Sequence, residues 1–136
     1  MQDRQRSFKS VEEAREYFTK DKFATNAGMY LTDLGDDFSE CRVTLNEAHQ
    51  NANGGIMGGV MFTLCDLAFA ALANHIHMPT VAQQVSINYL NAPKGKELIA
   101  RAECKKEGRN STIINVDVKD DTGRDIAQFV GVGFRL

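Results

Sequence analysis

The sequence has no surplus of basic charge. Lys and Arg number 16 against 18 for Asp and Glu, leaving a net charge of −2 over 136 residues. A nucleic-acid-binding surface usually needs a basic excess, so that class is set aside. Cysteine is scarce and odd in number, at Cys41, Cys65 and Cys104, with no CxxC pair. This argues against a disulfide framework or a zinc site and fits a reducing compartment. The opening stretch, MQDRQRSFKSVEEAREYF, is charged and lacks the apolar segment of a secretory leader. A membrane span is not expected either. The longest apolar run, Val60 to Ala73, is interrupted by Asp66 and falls short of the ~20 residues a crossing needs. Internal repeats, low-complexity tracts and linkers are also missing. The expectation is a soluble cytoplasmic protein forming one domain over residues 1–136. A chain of this size buries roughly two-thirds of its unfolded surface and needs no staples.

What is present reads as a simple order of elements. Ser10-Val11-Glu12-Glu13 fits a capping box, opening a helix over about residues 10–20 with Val11, Ala14 and Phe18 on one side. Met29 to Leu34 fits a strand. Ser39 to Leu45 alternates, with Cys41, Val43 and Leu45 on one face. Asn46 to Gly55 reads as a loop, and Gly58 to Asn74 as the one long helix. Four strands follow: Val81 to Leu90, Glu97 to Lys105, Thr112 to Lys119 and Ile126 to Phe134. Their expected inward sets are Val81, Val85, Ile87 and Tyr89; Leu98, Ala100, Ala102 and Cys104; Ile114, Val116 and Val118; and Ile126, Val130, Val132 and Phe134. Short turn-rich joints make the sheet antiparallel. Its apolar face needs a cover, and the only long apolar element is the helix from Gly58. The fold class is therefore α+β, a long helix wrapped by a curved antiparallel sheet.

That helix is apolar nearly all round, which is the mark of a buried one. Gly59, Thr63, Asp66, Ala70 and Ala73 share a stripe of small residues, and the bulkier sides belong on the sheet. Asp66 lies in the middle of the stripe with no Lys or Arg within four residues. An ionised carboxylate there is costly unless hydrated or paired. Either it faces a solvent gap or bonds nearby backbone, or it is a functional acid in an apolar cleft. Gly54, Gly55, Gly58 and Gly59 also admit two readings. They make a tight turn into the helix, or Gly58 offers an unpaired N–H to a developing negative charge. Phosphate is a weaker third option, because GGIMGG matches neither GxGxxG nor a P-loop.

Gly58 and Asp66 stand eight residues apart, a rise of ~12 Å along one helix. A base and an oxyanion donor must both lie ~3 Å from the reacting group. One helix cannot bring them together, whereas two helices running antiparallel across a two-fold axis can. The geometry predicts a homodimer with two shared sites.

The run His49-Gln50-Asn51-Ala52-Asn53-Gly54-Gly55-Ile56-Met57-Gly58-Gly59, followed by Leu64-Cys65-Asp66, resembles the HxNxxGxxHGG…LxD signature of PaaI-like hotdog-fold acyl-CoA thioesterases. The likeness extends from about Tyr17 to Phe134 and includes Asn88-Tyr89-Leu90, Gly108-Arg109 and Gly131-Val132-Gly133-Phe134. It implies a hotdog fold, an acyl-CoA substrate, sites at a dimer interface, and a tetramer built as a dimer of dimers. It implies Asp66 as the catalytic acid, Gly58 as the amide that polarises the thioester carbonyl, and Asn51 as the group that places thioester or water. Gly59, Met57, His49, Thr63 and Tyr89 join them as substrate-binding candidates, and Arg109 as the best CoA-phosphate contact. No metal and no separate cofactor are expected, since CoA is part of the substrate. One departure stands out: Met57 replaces the family's usual His, and a thioether neither donates a hydrogen bond nor carries charge. His49 is the nearby candidate to compensate. The alternatives are a non-catalytic acyl-CoA-binding protein, which Met57 favours, and a dehydratase. The dehydratase is disfavoured because His75 and His77 are expected in the connection beyond the helix. Phe62, Phe69 and Tyr89 are candidates for an aromatic or medium-chain pocket, with core packing as their other reading.

Overall fold

A computed structural model describes residues 5–136, so the first four residues of the expected domain lie outside the description. Three helices precede or cover six strands: α1 (Val11–Phe18), α2 (Lys22–Asn26), β1 (Tyr30–Leu34), β2 (Phe38–Thr44), α3 (Gly58–Ile76), β3 (Thr80–Tyr89), β4 (Glu97–Glu107), β5 (Ser111–Asp120) and β6 (Asp125–Arg135). The strands form one antiparallel sheet in the order β1-β2-β4-β5-β6-β3. The short α2 is an addition to the expected order.

Local chemistry starts the helices. Ser10 Oγ caps α1 by accepting from the Glu13 N–H at 3.1 Å. The returning arm of the expected capping box goes one residue further out, where Glu13 Oε2 accepts from the Lys9 N–H at 3.3 Å. Ala14 and Phe18 are buried, and Val11 packs against the core.

The core lies between α3 and the concave face of the sheet. Leu64, Leu67, Phe69 and Leu72 of α3 meet Cys41 and Val43 of β2, Leu98 and Ala100 of β4, and Ile114, Val116 and Val118 of β5. Buried Ser39 Oγ on β2 donates to the Ala68 carbonyl of α3 at 2.6 Å, tying sheet to helix at mid-length. At 19 residues α3 is the one helix among the described residues long and apolar enough to cross a membrane. Its burial under the sheet is that of a core helix.

Three expectations are corrected. In β6 the inward set is Ala127, Phe129, Gly131 and Gly133, while Val130, Val132 and Phe134 face outward. The reason is steric: a Cβ at Gly131 would sit 2.7 Å from Phe69 Cδ2, and one at Gly133 would sit 2.7 Å from Thr80 Cγ2. The glycines are what let Phe69 of α3 lie against the strand. In β3 a bulge between Ala82 and Gln84 shifts the alternation. Val81 is therefore turned out, while Val85 and Ile87 pack against the core. His75 belongs to the last turn of α3 rather than the following connection. It is buried beneath Phe8, its ring stacked at 5.8 Å and its Nδ1 accepting the Phe8 N–H at 3.2 Å.

Candidate active site

The loop before α3 is held by its own side chains. Asn46 Oδ1 accepts from Ala48 N–H at 2.8 Å, and His49 Nδ1 accepts from Asn46 N–H at 3.0 Å. An accepting Nδ1 puts the ring proton on Nε2, which donates to the Ala27 carbonyl at 2.7 Å. His49 is therefore buried with both nitrogens engaged. It lines a cavity as a ring, not as a free hydrogen-bonding group, and so does not supply what Met57 lacks. Its carbonyl accepts the Met57 N–H at 2.9 Å, setting the chain's entry into α3.

Asn51 serves the same loop. Its Oδ1 accepts from Asn53 N–H at 2.9 Å and from Gly55 N–H at 3.1 Å. Gly54, at φ +83°, is where the turn needs a residue without Cβ strain.

Met57 is the N-cap residue of α3 and offers no side-chain cap. Val60 N–H returns to the Met57 carbonyl at 3.0 Å, but the amides of Gly58 and Gly59 find no acceptor among the described residues. Free first-turn amides at a helix N-terminus are an anion-favouring arrangement. Gly58 is also where a ring lies close: a Cβ there would be 3.2 Å from Tyr89 Cζ.

The expected stripe of α3 is left uncovered at Gly59, Thr63, Asp66 and Ala70, with Phe62 beside it, whereas Ala73 is buried. Three cavities follow this side of the helix. The largest, about 660 Å³, holds His49, Met57, Gly59, Thr63 and Tyr89 on its wall. A second, about 280 Å³, holds Asp66 and Thr63 with Asp21, Phe23, Phe62 and Leu67. Phe23, Phe62 and Thr63 line both, so the two form one groove along the helix. A third, about 350 Å³, lies on the other side of Tyr89 and contains Gly58 with Leu90 and Asn91. Phe69 is core and lines none of these.

Asp66 is half-buried with no hydrogen bond or ion pair to any described residue. Burial raises its pKa, and the nearby charge of Asp21 raises it further. Asp21 and Phe23 escaped the sequence reading because nothing local marks them. They reach Asp66 only when α2 folds back beside α3, 45 residues on by the numbering of Asp21 and Asp66. Arg109 lies elsewhere, in the β4–β5 turn at the opposite end of α3, where His77 Nε2 meets the Gly108 carbonyl at 3.0 Å. Among the described residues no group of three His, Cys, Asp or Glu is placed to hold a metal.

Residues 53–127 match the thioesterase superfamily. The chain is 24% identical over 131 residues to the acyl-coenzyme A thioesterase PaaI of Escherichia coli, spanning 96% of this chain and 94% of that protein. The solved structure of the E. coli PaaI protein superposes with a TM-score of 0.85, covering 92% of this chain and 91% of that one, at 22% identity. A putative esterase of Deinococcus radiodurans is 30% identical over 80% of this chain and 75% of its own length. A thioesterase protein of Streptococcus pneumoniae, solved with coenzyme A, is 26% identical with a TM-score of 0.78 over 86% and 94% of the two chains. With a hotdog fold, a matched core segment and these relatives, the chain belongs to the thioesterase superfamily, in its PaaI-like hotdog branch.

Proposed function

We propose that this thioester hydrolase acts on an acyl-CoA, with an aromatic or short- to medium-chain acyl group, releasing the free acid and CoA. The observation that carries the reading is Asp66: a half-buried acid, unpaired among the described residues, in a groove walled by Phe23, Phe62 and Leu67, on the helix whose first-turn amides find no acceptor among those residues. The names of the E. coli and S. pneumoniae relatives support CoA esters as the substrate class.

In this reading Asp66 takes a proton from water as the water oxygen attacks the thioester carbonyl. The Gly58 N–H holds the resulting oxyanion, helped by Gly59. Collapse of the tetrahedral intermediate breaks the C–S bond and releases the CoA thiolate. A nucleophilic variant has Asp66 attack the carbonyl first, breaking the C–S bond and expelling the CoA thiolate, to give an anhydride that water then cleaves to the free acid and the Asp66 carboxylate. Asn51 Oδ1 is engaged in its loop, leaving its Nδ2 as the group that would orient carbonyl or water. CoA enters as substrate, and no separate cofactor takes part.

The two key groups are too far apart along one helix, so the reading requires a homodimer in which Gly58 of one chain meets Asp66 of the other. A pair of such dimers makes the tetramer. In an antiparallel pair, the Arg109 end of α3 returns toward the partner's helix N-terminus, the direction a CoA tail would take. The test is hydrolysis of an acyl-CoA panel by the native chain and Asp66→Asn. Native activity lost in the variant supports the reading, and equal rates contradict it. Met57 favours a second reading, an acyl-CoA binder without turnover. Tight binding across the panel with no hydrolysis by the native chain would select it.

A further inference from the structure

Asp21 occupies the N-cap position of α2, where Asp ordinarily accepts an N–H from the first turn, yet it makes no side-chain cap. Its carboxylate instead lines the cavity that holds Asp66, and it has no hydrogen bond or ion pair to any described residue. Two acids unpaired among the described residues, on one small cavity shared with Lys22, Thr63, Phe23, Phe62 and Leu67, are an arrangement a purely structural role does not require. Capping would have been the stabilising use of Asp21.

We propose that Asp21 is a positioning residue of this site, acting through Asp66 across the shared cavity to keep Asp66 basic enough to take a proton from water. This inference rests on the reading of Asp66 as the catalytic base. The charged groups around Asp66 are few. From the start of α2 come Asp21 and Lys22, both on the cavity wall. On α3 the adjacent titratable group is Cys65, whose buried thiol stays neutral because burial pushes its pKa up. From the sheet, Asp117 of β5 acts on Cys65. The direction of the shifts is consistent with the proposal. Burial raises Asp21, and Asp66 is raised by burial and then by the charge of Asp21, so an ionised Asp21 opposes ionisation of Asp66.

The experiment is a titration of the full-length protein carrying ¹³C-carboxyl aspartate, followed by NMR in the native chain, Asp21→Asn and Asp21→Glu. Asp66→Asn identifies the Asp66 signal by its disappearance. Removing the Asp21 charge should move the Asp66 titration to lower pH, because Lys22 is then the one other charged group of the described residues on the cavity wall, and Asp21→Glu should keep it at the native position. In the rate profile, Asp21→Asn should retain about threefold more of its own plateau activity at about pH 5 than the native enzyme does. An Asp66 titration that stays put in Asp21→Asn overturns the proposal, whatever happens to stability. If the titration shifts but Asp66→Asn remains active, the coupling stands and the catalytic reading of Asp66 fails instead.

Discussion

Among the described residues Asp66 and Asp120 are two acids without a Lys or Arg side-chain partner, and their surroundings are opposite. Asp120 is buried at the end of β5 and is saturated with donors. Oδ1 accepts the Thr122 hydroxyl at 2.6 Å and the Thr122 and Arg124 N–H groups, while Oδ2 accepts those of Lys94 and Gly95 at 2.8 and 3.0 Å. The Thr122 hydroxyl and these backbone amides hold its carboxyl well below the usual range. Asp66 has no donor among the described residues, and burial holds its pKa up. The first acid clips the β3–β4 connection to the β5–β6 turn. The second is left without a donor among the described residues, at some expense to the fold. Burial by itself does not set the state of a carboxyl; the donors around it do.

The contrast breaks most sharply at Asp66. Asp66→Asn should lower kcat/KM for an acyl-CoA by about 10²–10⁴-fold, while its melting temperature holds or rises, since an unpaired buried charge is removed. The sign follows from the raised pKa. Asp66 favours the fold when protonated, and that contribution is lost as pH rises through its native value. Activity assays alongside thermal melts check both halves.

Gly58 gives the next effect. Proline is accepted at a first helical position and removes only an N–H that lacks an intrahelical partner anyway. Gly58→Ala keeps that N–H and places the same Cβ against Tyr89. Gly58→Pro should fall about 10²–10³-fold below Gly58→Ala in kcat. Equal rates for the two variants would remove the amide from the mechanism.

Asp120→Asn should do the reverse of Asp66→Asn, lowering the melting temperature and leaving kcat close to native. A depressed native pKa stabilises the fold above the ordinary carboxylate range and loses that effect as pH falls through the native value. The gap in melting temperature between native and Asp120→Asn should therefore narrow from about pH 7 toward about pH 2. The smallest effect is at Arg109. Arg109→Ala should raise KM for CoA esters about three- to tenfold with kcat nearly intact, as steady-state kinetics will show.

The architecture was legible wherever one residue type marks one face. β4 and β5 alternate cleanly, and Leu98, Ala100, Ala102, Ile114, Val116 and Val118 are buried as expected. In β6 the period was legible but the hand was not. Valines look like core, and only the bulk of Phe69 from α3 explains why the glycines face inward. A bulge in β3 leaves no composition signal, so the turn of Val81 toward solvent was hidden. At the site, the motif marked Gly58 and Asp66 because helix spacing and an isolated charge are local features. Asp21 was invisible, since its position depends on a five-residue helix docking on α3. The engagement of His49 Nε2 likewise depends on Ala27, 22 residues upstream.

The most direct test of the central claim is subunit complementation. Asp66→Asn and Gly58→Pro are each purified, dissociated, mixed in equal amounts and allowed to reassociate. If Gly58 of one protomer serves Asp66 of the other, each mixed dimer regains one intact site, and activity should rise to roughly a quarter of native under random pairing. A reassociated mixture that stays as inactive as its two parents, with exchange shown by mass, would contradict the shared site.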